Sequence, residues 1–206
     1  MLTIWGRENS NNVRKVLWCA AELELSYSHI NAGGAFGKVN DELYRSLNPN
    51  GLVPLLQDDD FVLWESNTIV RYLAAKFGSE PFYPQDLQAR ASAEKWMDWT
   101  TATIVSHFSV VFWGLVRTKP ELRDMAKIEA AIATLEKHFD IVEDTLGRQP
   151  YLSGEDFGIG DIPLGSFAYA WFSMPIKRQA RPNMERWYKQ LTERPAYQRG
   201  VMSELT

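Results

Sequence analysis

Cysteine is nearly missing from this chain, since Cys19 is the only one among 206 residues. A single thiol excludes an internal disulfide framework, a Cys-x-x-Cys redox pair and a zinc site built from cysteines. This composition is typical of a reducing compartment, so we expect a cytoplasmic protein. Cys19 lies beside Trp18 in a helical pattern, which predicts a buried thiol.

Basic charge and long apolar runs are also scarce. The formal net charge is −4, whereas a nucleic-acid binder usually carries a basic face. No stretch approaches about 18 uncharged apolar residues, so the sequence predicts no membrane-spanning helix. The apolar run in MLTIWGRENS is too short for a signal peptide. We therefore expect neither a nucleic-acid partner nor a membrane.

Metal-binding patterns are absent as well. The acidic run 58–60 lacks the spaced acids and the glycine of a calcium loop, and it predicts a solvated turn. His29 and His138 belong to no recognisable constellation, and no Ser-His-Asp grouping is apparent. We therefore expect no metal.

The first 79 residues alternate strand and helix signals. Short β-like runs at 2–5 and 27–31 flank a helical pattern that begins at Val13. Ser10, Asn11 and Asn12 are all suitable N-cap residues for that helix. A short helix over 41–47 precedes a predicted hairpin of 55–57 and 61–64. A helix from Ser66 or Asn67 then ends at Gly78, which completes a compact α/β module.

Strand signals largely vanish beyond Leu87. Helices are predicted over 87–117, 120–146, 157–172, 182–192 and 196–202. The turn formers of GSEPFYPQD separate this half from the first. We therefore predict an α/β domain at 1–79, a linker at 80–86 and an all-helical domain at 87–206.

Several motifs in this arrangement resemble the cytosolic glutathione transferase family, and especially its bacterial, theta-like members with a serine in the first loop. The segments that carry the resemblance are WGRENSNNVRKVLW, NPNGLVPLLQDDDFVLWESNTIVRYLAAKFG, EKWMDW, FGIGDIPLG and RPNMERWYKQLTERPAY. The resemblance spans essentially the whole chain. It implies a thioredoxin-like first domain, a helical second domain and a homodimer, with glutathione as co-substrate.

Ser10 is the leading candidate for the residue that ionises the glutathione thiol. It lies at the entrance to the first helix, where a hydroxyl donor and the helix dipole both favour a thiolate. By resemblance it occupies the place of the family's catalytic serine, although a simple cap remains an alternative. Asn12 is the rival donor. Trp5 stands about where other classes carry a catalytic tyrosine, and it has no hydroxyl.

Val53 and Pro54 form a predicted wall for the peptide. An X-Pro bond adopts the cis form at modest cost, and the resemblance implies a cis Val53-Pro54 bond. The backbone of Val53 would then pair with the cysteinyl part of glutathione as an added strand does. The alternative is a trans proline at the start of an edge strand.

Charged groups for the two ends of glutathione lie nearby in the sequence. Glu65 suits the γ-glutamyl ammonium, while Ser66, at a helix start, suits its carboxylate. Lys38 is a candidate for the glycine carboxylate. Many relatives carry lysine just before the valine, where this chain has Leu52.

The long helix carries Thr103, His107 and Val111, which by resemblance would line the electrophile pocket. A lone histidine there is more often a packing or solvent-facing residue than a catalytic one. Further along, the FGIGDI segment resembles the family's capping box, with Gly158 as N-cap and Asp161 as a folding residue.

These observations predict a soluble, dimeric glutathione transferase of the detoxification type. Its thiolate would attack a small hydrophobic electrophile. Glutathione-dependent peroxide or disulfide reduction is an alternative with the same thiolate. A binding module without turnover is another.

Overall fold

The computed structural model describes residues 1–206 and begins with a four-stranded sheet. The elements of this half are β1 (Leu2–Trp5), α1 (Asn11–Glu22), β2 (Tyr27–Ile30), α2 (Glu42–Leu47), β3 (Leu55–Asp58), β4 (Phe61–Trp64) and α3 (Ser66–Phe77). The strand order is β2-β1-β3-β4. β1 is parallel to β2 and antiparallel to β3, and β3 pairs antiparallel with β4. The predicted β-α-β unit, hairpin and covering helix are all present.

Helices make up the second half. They are α4 (Leu87–Trp99), α5 (Val105–Phe112), α6 (Met125–Leu146), α7 (Asp161–Ser173), α8 (Pro182–Thr192) and α9 (Pro195–Gly200). Two π-helical segments, Thr100–Ile104 and Trp113–Arg117, make α4 and α5 one helical run over Leu87–Arg117. The predicted helix from Pro120 is wrong at its start, because Pro120–Leu122 forms a separate 3-10 turn before α6. The prediction of an all-helical half is otherwise correct.

The helical run Leu87–Arg117 has the length and composition of a membrane-spanning helix, which differs from the sequence-based expectation. Core helices of soluble proteins pass the same test. Here Ile104, Phe108 and Val111 pack in the main apolar cluster of the chain.

The start of α7 differs from the predicted 157, because the chain first makes a tight turn around the Asp161 carboxylate. Asp161 accepts a hydrogen bond from the Gly158 N–H at 3.2 Å, which is one half of a capping box. The Ser153 hydroxyl accepts from the Gly160 N–H at 3.0 Å and supplies the side-chain oxygen that Gly158 lacks. The helix itself begins at Asp161, which is fully buried and has the predicted folding role.

The predicted acidic turn is solvated only in part. Asp58 is buried and pairs with Lys76 and with the Tyr72 hydroxyl, so it fastens the hairpin to α3. Asp59 and Asp60 are exposed, as expected.

α1 is buried on all sides, from Val13 to Ala20, because elements from both halves pack around it. Trp18 shows how close the packing is. A Cβ added to Gly165 on α7 would lie 2.7 Å from its ring, and one added to Gly200 on α9 would lie 2.6 Å from its Cα. One apolar cluster of 43 buried residues therefore runs through both halves of the chain.

Candidate active site

The loop between β1 and α1 presents a free hydroxyl at a helix start. Ser10 is the N-cap residue of α1 by position, yet its side chain makes no cap hydrogen bond. The first intrahelical bond runs from the Arg14 N–H to the Ser10 carbonyl at 2.9 Å. The preceding N–H groups of α1 are therefore unpaired, and they favour an anion beside Ser10.

A cavity of about 160 Å³ lies against this loop. Ser10 and Asn12 line it from the first half. Its apolar wall comes from the second half, mainly from the aromatic side chains Phe108, Phe112, Trp113 and Phe167. A thiol at Ser10 would thus face an aromatic-lined space.

The expected pocket residues Thr103, His107 and Val111 do not line this cavity. The ring of His107 faces His138 on α6, with centroids 6.2 Å apart, and Val111 is fully buried in the core. These three residues therefore lie on the same helical run as the cavity wall but outside the cavity. The helical run contributes Val105, Phe108, Ser109, Phe112, Trp113 and Arg117 instead.

The Val53-Pro54 peptide bond is cis, as the resemblance implied. Val53 is half-buried, and its N–H and C=O make no hydrogen bond within the chain. Leu52, by contrast, uses its carbonyl to accept from the Tyr44 hydroxyl at 2.7 Å. Val53 therefore offers one free donor and one free acceptor to an extended peptide.

A second cavity, of about 320 Å³, lies where β4 meets α3. Glu65 and Ser66 line it, together with Asn12, which lines the first cavity too. The first bond of α3 runs from the Ile69 N–H to the Glu65 carbonyl, so the earlier N–H groups of this helix are also unpaired. Glu65 is exposed and makes no ion pair with another side chain. An acid next to a helix start matches a ligand that carries both an ammonium and a carboxylate.

Lys15 in the second cavity was not singled out from the sequence. Its side chain is almost fully buried, and its only hydrogen bond is to the Ser66 hydroxyl at 3.4 Å. Burial lowers its pKa to about 7, against the opposing charge of Glu65. The signal for this residue was the placement of two charged residues, Arg14 and Lys15, inside a strongly apolar helix.

Lys38 and Trp5 have different surroundings. Lys38 is exposed in the loop after β2, has a positive φ of 66° and makes no ion pair with another side chain. The Trp5 indole donates to the Gln57 side chain at 2.6 Å and packs edge-on against Tyr44. Trp5 therefore supports the sheet.

Two arginines, Arg7 and Arg117, also line the cavity beside Ser10 and were not predicted.

Cys19 is fully buried, and burial raises the pKa of its thiol, so the thiol is held away from the site. No cluster of three or more His, Cys, Asp or Glu side chains could hold a metal ion.

Comparison with known proteins matches both halves of the chain. The model of the glutathione S-transferase N-terminal domain matches residues 1–75, and that of the C-terminal domain matches residues 125–190. The chain is 48% identical over 204 residues to glutathione S-transferase GstB of Escherichia coli, covering 98% of each. It is 33% identical to glutathione S-transferase 3 of Zea mays, covering 97% of this chain and 93% of that protein. A solved theta class glutathione S-transferase from Xanthomonas axonopodis pv. citri, with glutathione bound, superposes with a TM-score of 0.97 at 55% identity, covering 100% and 99% of the two chains.

Proposed function

The chain belongs to the glutathione S-transferase family, and from that premise we propose that it joins the thiol of glutathione to a small hydrophobic electrophile in the two adjoining cavities. The observation that carries this proposal is the free Ser10 hydroxyl at the start of α1, facing an aromatic-lined cavity. Neither cavity alone explains a two-substrate reaction. Asn12 and Val105 line both, which supports a thiol held at their junction.

Glutathione would lie across both cavities. Its γ-glutamyl group carries a carboxylate for Ser66 and the start of α3, and an ammonium for Glu65. Its cysteinyl backbone would pair with the free N–H and C=O of Val53, beside Pro54. We keep Lys38 as a candidate for the glycine carboxylate.

Ser10 would lower the pKa of the bound thiol. A free thiol titrates near about 8.5, so only a few per cent is thiolate at neutral pH. Lowering that pKa by about two units requires roughly 2.7 kcal/mol. A hydrogen bond from Ser10 and the unpaired N–H groups of α1 are of the right size to provide it. The thiolate then bonds to the electrophilic carbon, and the leaving group or product departs from the aromatic-lined cavity.

The test is an ultraviolet pH titration of glutathione bound to the protein, with S-methylglutathione as the blank. In the wild-type protein, the titration midpoint of the bound thiol should lie about two pH units below that of free glutathione. In Ser10→Ala, the midpoint should rise most of the way back to the free value. Asn12→Ala decides whether the neighbouring amide shares this role. Ser109→Ala is the matched control, because that hydroxyl lines the same cavity but already donates to the Val105 carbonyl at 2.7 Å.

Two results would count against this function. Saturable binding of glutathione with an unshifted midpoint would favour a binding module without turnover. A shifted midpoint with turnover only of peroxides or disulfides would favour the reductase alternative. The burial of Cys19 argues against a mixed disulfide between the protein and its substrate.

We also propose a cytoplasmic homodimer with a role in detoxification. An 18-residue apolar window of the run Leu87–Arg117 is only 28% buried inside the chain, and Leu52 and Phe61 are large exposed apolar residues in the first half. Such surfaces are typical of faces that a partner covers. Light scattering coupled to size-exclusion chromatography should give twice the mass of the chain. A monomer at micromolar concentration would contradict this proposal.

A further inference from the structure

The side chains that line the cavity beside Ser10 carry positive charge and no negative charge. Arg7 lines it from the loop after β1, and Arg117 lines it from the end of the helical run. No Asp or Glu side chain lines the cavity, and neither arginine belongs to an ion pair with another side chain. Two guanidinium groups therefore share one small, aromatic-lined space.

The charged group of Arg7 makes no contact that stabilises the fold. Its guanidinium makes no hydrogen bond within the chain, although the residue is half-buried. A Cβ added to Gly34 would lie 3.1 Å from the Arg7 side chain, so this loop lies close against its stem. Burial lowers the pKa of Arg7, which is the cost of a cation without a partner.

Arg117 is held in place by two aromatic rings and by the last residue of the sequence. It stacks over Phe112 and Trp113, at 5.2 and 4.6 Å from the ring centroids. It donates to the main-chain oxygen of Thr206 at 2.9 and 3.1 Å. Burial lowers its pKa, and the charge of Arg7 lowers it further. The stacking fixes the guanidinium at the cavity. The terminal oxygen of Thr206 offsets part of the positive charge that Arg7, Arg14 and Arg117 bring to this region.

Arg14 adds a third positive charge near the cavity. Arg14 is fully buried beneath the same loop, and it donates only to neutral oxygens, among them the carbonyls of Glu8 and Ser203 at 3.1 and 3.0 Å. Burial, with a contribution from Arg117, lowers its pKa to about 10. An anion entering the cavity would relieve the repulsion among these groups.

We propose that Arg7 and Arg117 form an oxyanion subsite for the second substrate, so that the enzyme prefers aromatic electrophiles that carry a carboxylate. The inference rests on the proposed transferase function and adds the substrate class. The volume of about 160 Å³ suits one small ring, since an engineered apolar cavity of about 150 Å³ takes benzene. Guanidinium groups are well suited to bind carboxylates, through two parallel hydrogen bonds.

Two electrophilic acceptor substrates that differ only in charge isolate the contribution of the carboxylate. Chloronitrobenzoate and chloronitrobenzamide, each with chlorine para and nitro meta to the carbonyl group, differ only in that group. In both, the glutathione thiolate forms a C–S bond at the carbon that bears chlorine. Chloride leaves with its electron pair, and the thiol proton passes to solvent. The observable is kcat/KM relative to the uncatalysed rate constant for each acceptor.

The wild-type enzyme should favour the benzoate over the benzamide by about tenfold or more. Arg117→Gln should lower kcat/KM for the benzoate by about tenfold to a hundredfold and change that for the benzamide by less than about twofold. Arg117→Lys should retain part of the preference. Lys119→Gln is the control, because Lys119 is exposed, lies two residues further on and does not line the cavity.

A second measurement needs no variant. The two glutathione conjugates, bound to the wild-type protein and followed by calorimetry, share everything except the carboxylate. The carboxylate conjugate should bind about tenfold more tightly at low ionic strength, and high salt should narrow the difference.

Four outcomes would overturn the inference. Equal losses for both acceptors would show that Arg117 is only structural. A rise in KM for glutathione, with no change in acceptor preference, would assign the arginine to the glycine carboxylate of glutathione. Activity with a neutral chlorodinitrobenzene but no benzoate preference would reject the subsite alone, whereas inactivity with all three acceptors would reject the transferase function as well.

Discussion

The side-chain ammonium of Lys15 lies 3.4 Å from the hydroxyl of Ser66, and both side chains are buried between α1 and α3. No carboxylate forms an ion pair with Lys15. The amine therefore stands behind the hydroxyl that we assign to the γ-glutamyl carboxylate. Burial lowers the pKa of this amine to about 7, and an anion bound in front of it would raise that pKa again.

The pH dependence of stability should report this amine. Its ordinary pKa is 10.5, and burial lowers it to about 7 in the folded chain. Between these values the unfolded chain binds more protons, so raising the pH favours the folded state. We expect the Lys15 contribution to rise by about 1 kcal/mol per pH unit from about pH 7.5 to pH 9.5.

Lys15→Met should remove that rise and stabilise the protein near neutral pH. Urea denaturation at a fixed protein concentration measures both effects. Lys95→Met is the control, since Lys95 is exposed on α4 and its loss should leave the slope unchanged. The same slope in Lys15→Met and wild-type protein would contradict the burial argument.

Ser66→Ala should raise KM for glutathione about tenfold and leave kcat within about twofold, because the lost hydrogen bond is remote from the thiol. Cysteinylglycine is the control substrate, since it has the thiol but lacks the γ-glutamyl group. Wild-type protein and Ser66→Ala should use cysteinylglycine equally well. An equal loss with both thiols would show that Ser66 acts by supporting the fold.

The Cys19 thiol should not react with a disulfide reagent in the native protein. It is fully buried, its Sγ lies 3.9 Å from the Val70 carbonyl, and its pKa is raised by burial. Colorimetric titration should find one thiol per chain only after denaturation. Rapid reaction of Cys19 in the folded protein would contradict this prediction, and it would make a role of Cys19 in the chemistry possible again.

Asp161→Asn should destabilise the protein by about 3 kcal/mol, because an amide nitrogen would replace an oxygen that faces N–H donors. The carboxylate accepts hydrogen bonds from the main-chain N–H groups of Leu152, Ser153 and Gly158 and from the Trp187 indole, at 2.8 to 3.2 Å. Thermal unfolding measures the loss. Asp156→Asn is the control, since that side chain is exposed in the same turn.

Local patterns were enough to predict most of the fold. Alternation and helical spacing located the four strands and most helices, and the turn residues located the hairpin. The errors came from contacts that are distant in sequence. Helix α7 starts late because Asp161 gathers donors from Leu152 to Trp187, and no short window of sequence contains that network.

Where a motif fixes the backbone, the sequence predicted the local structure, as at the cis Val53-Pro54 bond, while the roles of Val53, Pro54, Glu65 and Ser66 toward glutathione stay predictions. The lining of the cavity beside Ser10 was harder to predict, because it depends on which face of a helix points inward. His107 and Ser109 are two residues apart on one helix, and only Ser109 faces the cavity. Lys15 and Arg117 are ordinary charged residues in the sequence, and only their three-dimensional surroundings distinguish them.

The fit of Trp18 against Gly165 and Gly200 limits how such proteins can diversify. One way to change the cavity would be to join the first half of this chain to a different helical half. Any such hybrid would have to keep Trp18 on α1 together with glycine at the facing positions of α7 and α9. Replacing cavity side chains one at a time should therefore disturb the fold less than exchanging either half, because the two halves fit each other closely at Trp18.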